Sequence, residues 1–205
     1  MPVVVEYFKS GGIFMYPILI GTLWGLTIII ERIIFFLQTA FQLNNQSRKI
    51  EYLLKRGEIA GIEAYLKAKK GIIKNVLKAG LENRSLPDNH IEMKMEEALL
   101  KDIPAYEKYL DLLATLSHLM PIFGLLGTVS GMIATFRVLA AQGTADIHAM
   151  ADGISVALIT TQAGLIASVP IILGHTLLSI RLKKVTDKTK EVSMHFLYYI
   201  KVGHA

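Results

Sequence analysis

Three stretches without a charged side chain constrain what this chain can fold into. Residues 10–30, 112–136 and 153–180 contain no Asp, Glu, Lys or Arg. Each is long enough to supply the ~20 apolar residues that cross a hydrocarbon core of about 30 Å. A buried helix in a water-soluble core can be uncharged over such a length, but three in 205 residues would leave too little chain to cover them. The hydrophobic share, 52%, also lies above the roughly 45–50% usual for a soluble domain. The expected fold class is therefore an all-α integral membrane protein with three transmembrane helices and long cytoplasmic helical extensions.

The net charge of +5 suits nucleic acid in size but not in distribution. Thirteen Lys and Arg fall between residues 39 and 111 and six more from Arg181 onward, whereas 138–152 carries none and the first twelve residues only Lys9. Basic residues concentrate on the cytoplasmic side of membrane proteins, so topology explains the surplus without a nucleic-acid partner. The expected order is a periplasmic segment 1–12, a first span 13–38, a cytoplasmic helical loop 39–111, a second span 112–137, a short periplasmic connection 138–152, a third span 153–180 and a cytoplasmic tail 181–205. The apolar run of the first span ends in Glu31-Arg32 rather than at a small-residue cleavage site, and no basic region precedes it. It is read as a retained anchor. Arg32 is expected to snorkel to the headgroups at the cytoplasmic end.

The cytoplasmic loop has helical periodicity. Ile50, Leu53 and Leu54 share one face; Ile59, Ile62 and Leu66 follow Gly57; Ile72, Ile73, Val76, Leu77 and Leu81 follow Gly71. Asn83–Asn89 is the clearest break, after which Asp88 or Asn89 is expected to cap a helix starting near His90. Ile91, Met95, Leu99 and Ile103 lie at four-residue steps along it, and it is expected to continue into the second span, bent or interrupted at Pro104 and Pro121. The third span is expected to continue as a charged helix through Lys190.

The second and third spans differ from the first in carrying small and hydroxyl residues at helical spacing. Gly124, Gly127 and Gly131, with Thr128 and Thr135, mark the second; Thr160, Thr161, Gly164, Ser168 and Pro170 mark the third. Small residues let backbones approach, and a single such step signifies only helix packing. Two hydroxyl stripes joined by a short outer connection point further, to the wall of a polar lumen in an oligomer. Thr128, Thr161, Thr135, Thr160 and Ser168 are the expected pore-lining residues; Gly124, Gly127, Gly131, Gly164 and Pro170 are the expected packing residues. Neither of these spans contains a carboxylate, and His118 and His175 are their only titratable groups of intermediate pKa. A carboxylate that carries protons must then come from another chain.

No cysteine is present, and no phosphate loop, HExxH or nucleophile–base pair occurs, so neither an enzyme nor a cofactor is expected. Asp146-Ile147-His148 reads as a solvated turn rather than a metal site.

The run Gly11-Gly12-Ile13-Phe14-Met15-Tyr16-Pro17-Ile18 with Trp24 and Glu31-Arg32 resembles the first span of ExbB and TolQ proteins. Pro121 to Phe136, centred on Gly124-Leu125-Leu126-Gly127-Thr128-Val129, resembles their second span, and Gly153-Ile154-Ser155-Val156-Ala157-Leu158-Ile159-Thr160-Thr161 through Pro170 their third. The resemblance implies a bacterial inner-membrane pentamer whose second and third helices surround a pore. Within it would sit an ExbD- or TolR-like single-span protein bearing the proton-carrying aspartate. The motor would drive a TonB- or TolA-like protein, and Thr128 and Thr161 match the family's pore-lining threonines. The opening segment favours a TonB-system energiser over a TolQ role in the Tol–Pal system. Many family members have a glutamate where this chain has Val156, which keeps open a non-conducting scaffold. A MotA-type stator would show four spans, and a secondary transporter would show repeats.

Overall fold

Hydrocarbon offers no partner for a backbone N–H or C=O, so an apolar run that crosses a bilayer satisfies its backbone within a helix. In the computed structural model, which describes residues 8, 10–142 and 147–202, every regular element among the described residues is an α-helix. They are α1 (Met15–Lys55), α2 (Ile59–Lys67), α3 (Ile72–Glu82), α4 (Asp88–Glu107), α5 (Leu110–Gln142) and α6 (Ile147–Val202). Three of them, α1, α5 and α6, are long and apolar enough to cross a membrane. The chain is an all-α membrane protein with three such helices.

The helix ends depart from expectation in three places. Ile50, Leu53 and Leu54 do not start a helix of their own; they lie on the last turns of α1, which has no Gly or Pro between residues 26 and 55 to end it. Asp88 and Asn89 lie inside the first turn of α4, with Pro87 at the cap position and no side-chain cap bond. Proline has no side-chain acceptor, so the turn is closed through the Pro87 carbonyl, which accepts from the His90 amide at 2.8 Å. Finally, α4 does not run on into α5: Tyr109, at φ 68°, stands between them in a left-handed conformation rare for a bulky residue. Pro104 and Pro121 each remain inside a helix.

The chain divides into two compact units, residues 1–31 with 109–177 and residues 32–108 with 178–205. In the first, large apolar side chains dominate the outward faces of all three helices: Leu23, Trp24, Leu125, Phe136, Leu158 and Ile166 are all exposed. Such a surface suits lipid, and glycines let the helices approach where they meet. Gly21 of α1 lies against Met120 of α5, and Gly25 against Ile171 of α6, which is fully buried.

The second unit has the core of a water-soluble bundle. Ile62 and Leu66 of α2, Ile73, Val76 and Leu77 of α3, Ile91, Met95 and Leu99 of α4, and Val185, Val192 and Phe196 of α6 are buried. Gly57 (φ 70°) and Gly71 (φ 117°) supply the left-handed turns that precede α2 and α3. Polar contacts lie around this core: Asn75 Nδ2 donates to Asp102 Oδ2 at 2.7 Å, and Lys188 Nζ stands 3.4 Å from Glu51 and 2.9 Å from Glu191.

Candidate functional site

The small-residue runs of α5 and α6 meet along a shared seam. A Cβ added at Gly124 would stand 3.1 Å from Thr161 Cα, and one at Gly164 would stand 2.5 Å from Met120 O and 3.1 Å from Gly124 Cα. Gly127 lies against the Thr160 side chain, Gly131 against Gly153 O and Ala157, and Gly153 against Thr135 Oγ1. All four expected packing glycines, Gly124, Gly127, Gly131 and Gly164, are buried at this seam. Pro170, expected with them, is instead exposed on α6.

The five hydroxyls expected to line a pore fall into two groups. Thr160 is fully buried; its Oγ1 lies 2.6 Å from Gly11 O and 2.7 Å from Val156 O, so its single proton is shared between a backbone carbonyl of the N-terminal segment and one of its own helix. Thr135 donates to Gly131 O at 3.1 Å and Ser168 to Leu165 O at 2.8 Å, both from buried positions. These three lie in the interior of the chain rather than on an open face. Thr161 and Thr128 are only half-buried. Thr161 donates to Gly124 O, on the facing helix, at 3.0 Å, and Thr128 donates to Leu125 O at 2.7 Å one helical turn further along α5. With their protons engaged by carbonyls, both oxygens keep lone pairs free to accept. They are half-exposed hydroxyls on a surface that also carries exposed Ser130 and Gln162.

Val156 approaches the N-terminal segment: its Cγ1 lies 3.2 Å from the position of a Gly12 Cβ. Sequence reasoning missed this contact and the Thr160–Gly11 bond, because nothing in the spacing ties residues 11 and 12 to α6. Of the two histidines, His118 is exposed with Nδ1 2.6 Å from Ala114 O, and His175 is half-buried.

In the second unit, the end of the first expected span is anchored differently from expectation. Glu31 is exposed, but Arg32 is buried at 4% exposure instead of reaching outward. Its Nη1 lies 3.5 Å from Ala105 O, and its guanidinium sits 5.0 Å from the centre of the Phe35 ring. Phe35 in turn packs on Tyr106 at 5.4 Å. Burial raises the Tyr106 hydroxyl above the usual tyrosine range, opposed by a hydrogen bond with the Ile72 backbone and reinforced by the Asp102 charge. The cluster is a packed joint between α1 and α4.

Among the described residues no three His, Cys, Asp or Glu gather as a metal site. Asp146, part of the outer turn considered for a cation, lies outside them.

Residues 68–191 match the sequence model of the MotA/TolQ/ExbB proton channel family. A putative biopolymer transport protein ExbB homolog of Methanothermobacter thermautotrophicus is 31% identical over 190 residues, covering 90% of this chain and 66% of that protein. A putative biopolymer transport protein ExbB-like 1 of Synechocystis is 32% identical over 176 residues, 82% of this chain and 67% of its own length. The Tol-Pal system protein TolQ of Haemophilus influenzae is 34% identical over 91 residues, 44% of this chain and 40% of its own. The chain thus spans about two thirds of the two ExbB-type relatives and well under half of the TolQ.

Proposed function

This chain belongs to the MotA/TolQ/ExbB proton channel family, and from that premise we propose that it is the channel-forming subunit of a motor driven by the proton-motive force in a bacterial inner membrane. Several copies, five by the family resemblance, surround a lumen walled by α5 and α6. An ExbD-like single-span partner stands in that lumen and supplies the carboxylate that takes up and releases the proton. The movement of the partner is passed to a TonB-like protein, energising transport across the outer membrane. Both termini take the orientation that the basic residues favour, the amino end periplasmic and the carboxyl end cytoplasmic.

The observation that carries this reading is the half-exposed pair Thr128 and Thr161, held one helical turn apart on the glycine seam of α5 and α6. Their remaining lone pairs can solvate a protonated group or a water file without binding a proton themselves. Asp111 and Asp152 lie outside the charge-free runs 112–136 and 153–180, so no carboxylate on these runs competes with a partner's at membrane depth.

Two other readings have specific support. The match to TolQ keeps a Tol–Pal role as the alternative. Val156, an apolar contact to Gly12 at the position where the family resemblance implies a glutamate, supports a non-conducting scaffold.

Proton flux in proteoliposomes decides between channel and scaffold. The chain is reconstituted alone, with an ExbD-like partner, and with that partner while carrying Thr128→Val and Thr161→Val. Flux that requires the partner and falls at least tenfold in the double variant supports the channel. An intact complex that conducts in no combination rejects it in favour of the scaffold.

A further inference from the structure

The second unit holds a groove of about 190 Å³ lined by Phe36, Ala40, Leu43 and Asn44 of α1 and by Arg181, Lys184, Val185 and Lys188 of α6. Its two halves differ in chemistry. Phe36 and Val185 are buried and form an apolar floor, while Arg181 and Lys184 are exposed at the rim. Lys188 is already engaged by Glu191 and Glu51. Arg181 and Lys184, by contrast, have no ion pair among the described residues, so the rim keeps a surplus of two positive charges.

Its place along the chain matters as much as its charge. Arg181 is the first charged residue after the charge-free run 153–180, and Phe36 lies in the last apolar turns of the first span. From Phe36 to Asn44 the helix rises about 12 Å, enough to pass from the edge of the hydrocarbon through the headgroup layer, which adds about 5–8 Å to each face of the bilayer. The groove therefore falls at the depth expected for lipid phosphates.

We propose that this groove binds the phosphate of an anionic phospholipid, with Arg181 and Lys184 on the phosphate and the lipid's first methylenes on Phe36, Leu43 and Val185. A guanidinium matches two phosphate oxygens at once, and an ammonium adds a point charge. Basic pockets between membrane helices are suited to such headgroups. The apolar floor selects a lipid over a free phosphate ion, which gains nothing from it. This site is independent of the conduction proposed above.

Native mass spectrometry of the full chain, released from nanodiscs of mixed phosphatidylglycerol and phosphatidylcholine, tests the assignment. One phosphatidylglycerol per chain is expected to be retained, with phosphatidylcholine lost. Replacing Arg181 and Lys184 together by Gln is expected to weaken retention about thirty-fold, from the contribution of a cation near a membrane surface. The charge-preserving pair Arg181→Lys with Lys184→Arg should retain the lipid, which separates loss of charge from loss of fold. Arg48→Gln with Lys183→Gln removes two charges outside the groove and should change retention by less than threefold. Equal losses in both Gln pairs would overturn the site in favour of diffuse charge attraction. Displacement of the lipid by millimolar inorganic phosphate would overturn the lipid as its occupant.

Discussion

The two units of this chain differ in what they turn outward and in how far glycine enters their helix contacts. In residues 32–108 and 178–205, large aliphatic and aromatic side chains such as Phe196, Ile62 and Leu77 are removed from solvent while lysines and glutamates stay outside. In residues 1–31 and 109–177, large apolar side chains such as Trp24 and Leu158 point outward, and glycines share the contacts with buried aliphatics such as Leu113, Met120 and Ile171. The difference follows from the solvent. Water drives apolar bulk inward. Lipid does not distinguish a leucine from itself, so backbone proximity and hydroxyl bonds decide which helices meet.

That contrast can be broken at single positions. The largest effect is expected at Gly164, where a side chain would meet the carbonyl of Met120 and the backbone of Gly124. Gly164→Leu should destabilise the seam by about 3 kcal/mol or more, read as loss of resistance to unfolding in a steric-trap assay in bicelles. Phe196→Ala should cost about 3–5 kcal/mol in the other unit, by leaving a cavity in an aliphatic core, checked by denaturant unfolding of the full chain in detergent.

Gly80 sharpens the comparison, because it is a buried glycine in the water-type unit. A Cβ there would stand 2.7 Å from Met95 Sδ and 2.9 Å from Phe196 Cε1, which are side-chain atoms and not backbone. Met95 can rotate away, whereas the buried Phe196 ring must shift by a few tenths of an ångström, against a helix preference for alanine of about 1 kcal/mol. Gly80→Ala should therefore change stability by no more than about 1 kcal/mol, far less than any substitution at Gly164. Thr160→Val keeps the shape of the side chain and removes its bond to Gly11 O. The expected loss is about 1 kcal/mol, with faster proteolysis of the N-terminal segment as a second readout. Glu51→Gln, which removes one of the two carboxylates on the partly exposed Lys188, should cost less than about 1 kcal/mol in thermal unfolding.

Much of this architecture is legible in the sequence because its signals are one-dimensional. Three charge-free runs mark three long helices, Gly57 and Gly71 mark turns, and the steps Ile72, Ile73, Val76, Leu77 predict the buried face of α3. The interruption at Tyr109 was not legible, since neither Lys108 nor Tyr109 is a helix breaker and Pro104 draws the eye first. The burial of Arg32 was equally hidden: it depends on Ala105, 73 residues away. Within the candidate site, spacing selects all five hydroxyls alike. Only the azimuth of α5 against α6, set by Gly124 and Gly164, separates Thr135, Thr160 and Ser168, which face inward, from Thr128 and Thr161.

The central claim is that the hydroxyls of α5 and α6 are of two kinds, one packing the chain and one lining a wet lumen. The natural chain has no cysteine, so it suits site-directed labelling. Thr128→Cys, Thr161→Cys, Thr135→Cys and Thr160→Cys, each alone in the assembled membrane complex, would be exposed to a charged water-soluble thiol reagent. Rapid modification at 128 and 161, slowed by an ExbD-like partner, with positions 135 and 160 at least a hundredfold slower, is the expected result. Equal protection at all four positions, with and without the partner, would contradict the account.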